Sequence, residues 1–174
     1  MASEVALNKD RMEAALRALD QKLSTPLTLI IGGGGAMILA HGYPLGTSDI
    51  DSVPKGMEIQ ALDALVKEIA RAEGLPPDWL NPYFSSFTHT LPSDYGNRLI
   101  EVFSGKRLKA LALGKNEMLI MKCFARRTKD VGHAKALIRG GADIDFVESH
   151  LESLREKGIR GAAEALDFLD ELYE

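Results

Sequence analysis

Two aspartates one residue apart, Asp49 and Asp51, are the side chains in this chain best placed to do chemistry. They lie in Ser48-Asp49-Ile50-Asp51-Ser52-Val53, which reads as a strand closed by Pro54. In a strand, residues two apart share a face, so the two carboxylates project together and Ile50 points into the core. Like charges that close repel each other unless a cation lies between them. The natural guest is Mg²⁺ (or Mn²⁺), a hard ion that takes oxygen ligands and retains waters for a substrate phosphate. A D-x-D on a solvated strand edge has the same spelling, so the tripeptide takes its meaning from its setting.

The chain carries its own control. Asp143-Ile144-Asp145 is the same tripeptide, but it follows Gly140-Gly141 and precedes Phe146, Val147, His150, Leu151 and Leu154 at helical spacing. Asp143 is predicted to be an N-cap and Asp145 a first-turn acid favoured by the helix dipole. That copy reads as structural.

What sets the first copy apart is the turn ahead of it. The apolar run Leu27–Ile31 stops at Gly32-Gly33-Gly34-Gly35, and an apolar helical segment from Ala36 to about His41 follows. Glycine is the costliest residue to order, so four in succession mark a place that needs bare backbone. A dinucleotide fingerprint fails, because its third glycine would fall at Ile38, and no Lys-Ser/Thr pair closes a P-loop. Two readings remain: a strand–helix turn whose N–H groups seat a phosphate, or a close packing contact.

The elements that must position these groups follow from periodicity. Met12, Leu16, Leu19 and Leu23 mark a helix from Ser3 to about Leu23, and Ile59, Leu62, Leu65, Val66 and Ile69 mark another that Gly74 ends. Leu75–Pro82 reads as a Pro-rich loop. Strands are predicted around Phe87–Leu91, Leu99–Phe103 and Leu108–Leu113. From Lys115 onward the pattern is helical, with breaks at Asp130, Gly140-Gly141 and Gly158. The outcome is an α/β (α+β) chain: a mixed sheet flanked by helices, then a helical C-terminal third.

Composition sets the bounds. The chain has 174 residues, enough for one domain with a proper core, and 45% are hydrophobic, as in globular rather than disordered chains. A net charge of −4 argues against broad nucleic-acid coating. The single cysteine, Cys123, rules out an internal disulfide framework. The charged N-terminus lacks an apolar signal core and no apolar run reaches membrane-spanning length, so the expectation is a cytoplasmic protein with no membrane partner.

A glycine pair, a short helix and D-h-D on a strand together resemble the signature of the DNA polymerase β-like nucleotidyltransferase superfamily. Thirteen residues separate Gly35 from Asp49, the long end of the usual gap. The finer pattern, Gly33-Gly34-Gly35-Ala36, Gly42 and Thr47-x-Asp49-Ile50-Asp51, is similar to the small bacterial nucleotidyltransferase-like proteins of the DUF6036 and AbiEii-toxin type. A second block agrees: Met118 to Asp130 resembles their L-x-x-K-x-x-A-x-R-x-x-K-D helix. Trp79-Leu80-Asn81 resembles a W-L-N stretch of the same proteins. One departure is that many relatives carry Arg shortly before T-x-D-I-D, where this chain has Leu45-Gly46.

The resemblance implies a single domain over 1–174, with a nucleotidyltransferase core at 1–113 and a helical part at 114–174 packed on it. It implies transfer of NMP from an NTP to an acceptor (RNA, protein or small molecule), with Asp49 and Asp51 holding the metals and Gly33, Gly34, Gly35 and Thr47 holding the triphosphate. It also implies a third carboxylate on a later strand. Glu101, in Leu99-Ile100-Glu101-Val102-Phe103, is the best candidate, because an acid on an apolar strand face is costly unless paired or metal-bound. Its other reading is an edge-strand acid facing solvent beside a basic residue. Asp94 is a weaker candidate, since Pro92-Ser93-Asp94-Tyr95-Gly96 reads as a turn.

Lys115, Lys122, Arg126 and Lys129 differ by seven, four and three, which on one helix makes a single stripe. Lys122, Arg126 and Lys129 are therefore candidates for phosphate contacts, against an ordinary solvated face. A different class of function stays open beside catalysis: a degenerate nucleotidyltransferase fold that binds a nucleotide or a protein, such as a cognate toxin or antitoxin.

Overall fold

The computed structural model describes residues 6–44, 46–83 and 88–172. Leu45 and the Ser85–Ser86 pair, whose hydroxyls lack a nucleophile-elbow context, lie outside the described residues. The chain divides into two compact units, Met1–Ser86 with Leu99–Ala112, and Phe87–Arg98 with Leu113–Glu174.

The first unit is built on a five-stranded mixed sheet. Helix α1 (Lys9–Lys22) starts at Asn8, whose side chain accepts from Arg11 N and supplies the cap. Strand β1 (Leu27–Gly32) leads into helix α2 (Gly33–Leu39), then β2 (Ile50–Lys55), α3 (Ile59–Glu73), β3 (Leu80–Asn81), β4 (Ile100–Ser104) and β5 (Leu108–Ala112). The strand order is β3-β2-β1-β5-β4. β1 runs antiparallel to β2 and parallel to β5, β2 pairs β3 in parallel, and β4 and β5 form an antiparallel hairpin.

Register decides which side chains share a face. Leu29, Ile31, Ile50, Ser52, Ala110 and Ala112 fall on one face and are all fully buried. Met12, Leu16 and Leu19 of α1, Met37 of α2, and Leu62, Val66 and Ile69 of α3 complete the same core. Thr28, Ile30, Gly32, Asp51, Val53, Lys109 and Leu111 fall on the opposite face, which is where the polar chemistry lies. Helix α3 ends as expected: Gly74 takes the left-handed conformation at φ 67°, open to glycine without a Cβ penalty.

Four details differ from the sequence expectation. Helix α1 begins at Lys9 and not at Ser3, because Asn8 caps it and Leu7 is bridged to Thr47. The Pro-rich loop contains strand β3, two residues long, seated by Ile50 N–H donating to Trp79 O at 2.8 Å. Pro54 lies inside β2 rather than after it. Among the described residues β3 pairs with β2 only as far as Asp51, so no ladder bond to β3 is lost where Pro54 lacks an N–H. The stretch expected to be a strand near Leu91 is a tight turn, with Leu91 N–H donating to Thr88 O at 3.1 Å; Phe87 lies outside the described residues.

The second unit is helical: a 3₁₀ turn at Tyr95–Arg98, then α4 (Lys115–Ala125), α5 (Thr128–Arg139), α6 (Ile144–Glu156) and α7 (Ala162–Glu171). Its core is Met118, Leu119, Ile120, Ala134, Leu137, Val147, Leu151, Ala165 and Leu169. The breaks at Gly140-Gly141 and Gly158 fall where expected. None of the described helices is long and apolar enough to cross a membrane.

Candidate functional site

The glycine turn, Thr47 and Asp51 come together in the first unit. Gly33 opens α2 at φ 58°, a left-handed conformation, and a Cβ there would collide with Asp51 Oδ2. At Gly34 a Cβ would lie 2.8 Å from Thr47 Oγ1. At Gly35 it would press on Ile31 and Ile50 at 3.3 Å. The three glycines thus have three separate reasons. Gly33 makes room for a carboxylate and a left-handed turn, Gly34 makes room for a hydroxyl, and Gly35 lets α2 settle on the sheet.

Thr47 is held in place by the chain's N-terminal segment. Leu7 N–H donates to Thr47 O at 2.7 Å, and Thr47 N–H donates to Leu7 O at 3.1 Å. The Leu7 side chain is fully buried, which anchors that bridge. Asp49 follows at the mouth of β2, then Ile50, fully buried, then Asp51, half-buried. Burial alternates across this tripeptide as expected, but β2 begins at Ile50, so Asp49 lies just ahead of the strand the sequence predicts.

Asp51 has a further neighbour. β3 lies beside β2 with Asn81 opposite Asp51, and Asn81 Nδ2 donates to Asp51 Oδ1 at 3.0 Å. Asn81 Oδ1 accepts from Tyr83 N–H at 3.1 Å, and Asn81 O accepts from Ser52 Oγ at 3.2 Å. The sequence marks Asn81 only as the end of the W-L-N stretch and gives it no task; that stretch is anchored by Trp79, fully buried, whose indole N–H donates to Val66 O at 2.9 Å.

Glu101 is placed elsewhere. It lies on the edge strand β4, three strands from Asp51, about 14 Å across the sheet. It is exposed, with Lys109 Nζ 3.8 Å from its carboxylate. Of its two readings the structure displays the edge-strand acid beside a base. Among the described residues no three His, Cys, Asp or Glu side chains group so as to hold a metal ion.

The basic candidates belong to the second unit, and they do not form the single stripe that their spacing predicts. Helix α4 stops at Ala125, Arg126 takes the left-handed conformation at φ 53°, and Lys129 lies on the next helix. The break is set by Asp130, which accepts from Arg127 N–H at 3.0 Å and caps α5 from its first turn. Arg126 and Lys129 are exposed, and Lys115 Nζ donates to Gly140 O at 2.5 Å. Lys122 is buried and donates to Asp130 Oδ1 at 3.1 Å, so its charge is already neutralised. Desolvation pushes the Lys122 ammonium below its ordinary pKa, against the pull of Asp130. Burial would raise the Asp130 carboxyl, but its bonds to Arg127 and Lys122 outweigh that and hold it below the usual range.

Other side chains of the second unit have structural partners. Arg98 bridges Asp94 (2.9 Å) and the buried Glu117, and it stacks over the Phe146 ring at 5.1 Å. His150 Nε2 lies 2.8 Å from Thr90 O. Burial pushes the Cys123 thiol up to about 12, which leaves no thiolate for nucleophilic work.

Residues 10–158, well over half of the chain, match the family model described as "Nucleotidyltransferase of unknown function (DUF6036)". Comparison with curated proteins and with solved structures gives no match.

Proposed function

Because the chain belongs to the DUF6036 family of nucleotidyltransferases of unknown function, we propose that it transfers NMP from an NTP to an acceptor at the site formed by the glycine turn, Thr47, Asp49 and Asp51. The observation that carries this reading is that Asp51 Oδ2 fills the space a Cβ at Gly33 would need. A carboxylate pressed against a bare turn leaves no room for any side chain, and such a turn serves close approach of a phosphate.

The donor set suits a divalent cation. Asp49, Asp51 and the Thr47 hydroxyl offer only oxygens, the preference of Mg²⁺ and Mn²⁺, and two acids leave positions for water and for phosphate oxygens. The cation, when bound, would neutralise charge on the transferring phosphoryl group. This chain's residues do the rest. Gly33 and Gly34 give the triphosphate access to backbone N–H groups, and the Leu7 bridge holds Thr47 in place over Gly34. In the reaction the acceptor forms a bond to the α-phosphorus, the bond to the β-phosphate bridging oxygen breaks, and pyrophosphate leaves. Catalysis of this kind rests on positioning and charge complementarity. The same reading makes the chain a relative of the polymerase β-like superfamily and of AbiEii-type toxins. The acceptor is an RNA, a protein or a small molecule.

A second reading has one observation in its favour: no third acid joins the aspartates among the described residues. In that reading the fold binds NTP or a protein partner, such as a toxin or antitoxin, without transfer. The test is incubation with each labelled NTP, with and without Mg²⁺, alongside calorimetry of NTP binding to wild type and Gly34→Val. Mg²⁺-dependent label incorporation, together with lost NTP binding in a folded Gly34→Val, is the expected result. Mg²⁺-dependent binding without incorporation selects the binding protein. Unchanged affinity in Gly34→Val removes the turn from the site.

A further inference from the structure

Asn81, on a separate strand, grips the Asp51 carboxylate. Its orientation is fixed by chemistry as well as distance. A backbone N–H can only donate, so the atom that meets Tyr83 N–H at 3.1 Å must be the amide oxygen. The amide NH₂ then has to face Asp51, at 3.0 Å. The backbone around it is equally fixed, through Ile50 N–H to Trp79 O and Ser52 Oγ to Asn81 O. Strand β3 therefore delivers a neutral donor to one oxygen of Asp51 and leaves the other, Oδ2, over Gly33.

We propose that Asn81 is a positioning residue for the site: it holds the Asp51 carboxylate in the rotamer that presents Oδ2 to a cation. The assignment rests on the function proposed above, which it deepens. A donor amide at this place neutralises no charge, yet it selects one orientation of the Asp51 carboxylate. The cation that fits is accordingly one satisfied by two carboxylates, with water and phosphate oxygens completing its shell. An acid at position 81 would face Asp51 at hydrogen-bond distance with no proton between them, and the pair would then need a cation to coexist.

The test uses the full-length chain and Mn²⁺ alone as probe. Asn81→Asp keeps the shape and removes the donor. In EDTA its melting temperature should fall by ~3–8 °C. Mn²⁺ should restore it and raise it more than in wild type. Asn81→Ala should melt close to wild type in Mn²⁺-free buffer while its Mn²⁺ affinity, read by electron paramagnetic resonance, drops about 10-fold. That drop should vanish in an Asp51→Asn background, since the effect runs through Asp51. An Asn81→Asp variant that melts like wild type in EDTA, or that Mn²⁺ fails to rescue although it binds wild type, overturns the assignment, and so does one that folds in neither condition while wild type responds to Mn²⁺. An Asn81→Ala variant with wild-type Mn²⁺ affinity overturns it as well. A wild type that ignores Mn²⁺ sinks the metal reading of the function instead, and the EDTA melt of Asn81→Asp then decides the role of Asn81 by itself.

Discussion

Asp49-Ile50-Asp51 and Asp143-Ile144-Asp145 have one spelling and two structures. In the second, Asp143 Oδ1 accepts from Phe146 N–H at 3.1 Å and caps α6, Asp145 sits in its first turn, and Asn116 Oδ1 accepts from Asp143 N–H at 2.8 Å. Asp143 satisfies the backbone of the helix it begins, and Asp145 lies in the first turn, where the helix dipole favours an acid. In the first, the acids flank a fully buried isoleucine at the start of a strand, and Asp51 is gripped by another side chain and set against a glycine. A carboxylate whose oxygens meet backbone N–H groups is spent on the fold. One that is steered by an amide and leaves an oxygen over bare backbone is held for something else.

Exchange of charge at the two copies tests this contrast most severely. Asp51→Asn should lower Mg²⁺-dependent NMP transfer by about 10²-fold or more, whereas Asp145→Asn should leave transfer within about two-fold of wild type. Equal losses at the two copies, in a labelled-NTP assay on folded variants, would erase the distinction.

Asp130 sharpens the contrast from the other side, as a fully buried acid with every neighbour committed. Lys122→Met removes the ammonium and leaves Asp130 to Arg127 alone. A broken buried pair costs ~3–5 kcal/mol, and the surviving Arg127 bonds trim that to about 2–4 kcal/mol in chemical denaturation. A variant of wild-type stability with weakened NTP binding would return Lys122 to the list of ligand contacts.

The smallest effect is expected at Asp20. Its carboxylate accepts from the backbone N–H groups of Arg107 and Leu108 (2.8 Å each) and Lys106 (3.1 Å), tying α1 to the β4–β5 hairpin. The Arg107 N–H is foremost in holding the carboxyl below its ordinary value. The sign follows: the charged form is favoured in the fold, so the stabilisation is complete above the unfolded pKa of about 3.9 and is lost as pH falls through the lower folded value. Thermal melts from about pH 7 to pH 2 should show Asp20→Asn less stable than wild type at neutral pH and converging with it in acid. A constant gap across that range would mean the bond owes nothing to charge.

Much of this molecule is legible in its sequence because local rules and tertiary packing agree. The α3 periodicity with Gly74 at its end, the Asp143 cap and the glycine turn ahead of β2 are such places. The failures share a cause. β3 has two residues and no periodicity to display; it exists because Trp79 is buried and Ile50 needs a partner for its N–H. The break expected at Asp130 comes four residues earlier, because Arg126 is an ordinary helix former that tertiary context places at positive φ. The signal was Asp130 acting backward on Arg127, three residues away. Thr88 and Thr90 favour a strand by composition, and the turn at Thr88–Leu91 overrides them. Glu101 and Asn81 both sit on strands, and nothing in their spacing says which strand neighbours β2.

The single tryptophan of the chain is Trp79, two residues before Asn81, with its indole sealed in the core. The ring is consequently an optical label that the sequence has already installed. With one indole, excited at a wavelength the four tyrosines do not absorb, there is no mixture of emitters to unmix, and its environment is apolar only while the segment leading into β3 is seated. Loss of the Val66 carbonyl and entry of water would move its emission to longer wavelength. The colour of the intrinsic fluorescence is therefore a gauge of whether the segment that carries Asn81 is in place, readable in solution during any titration.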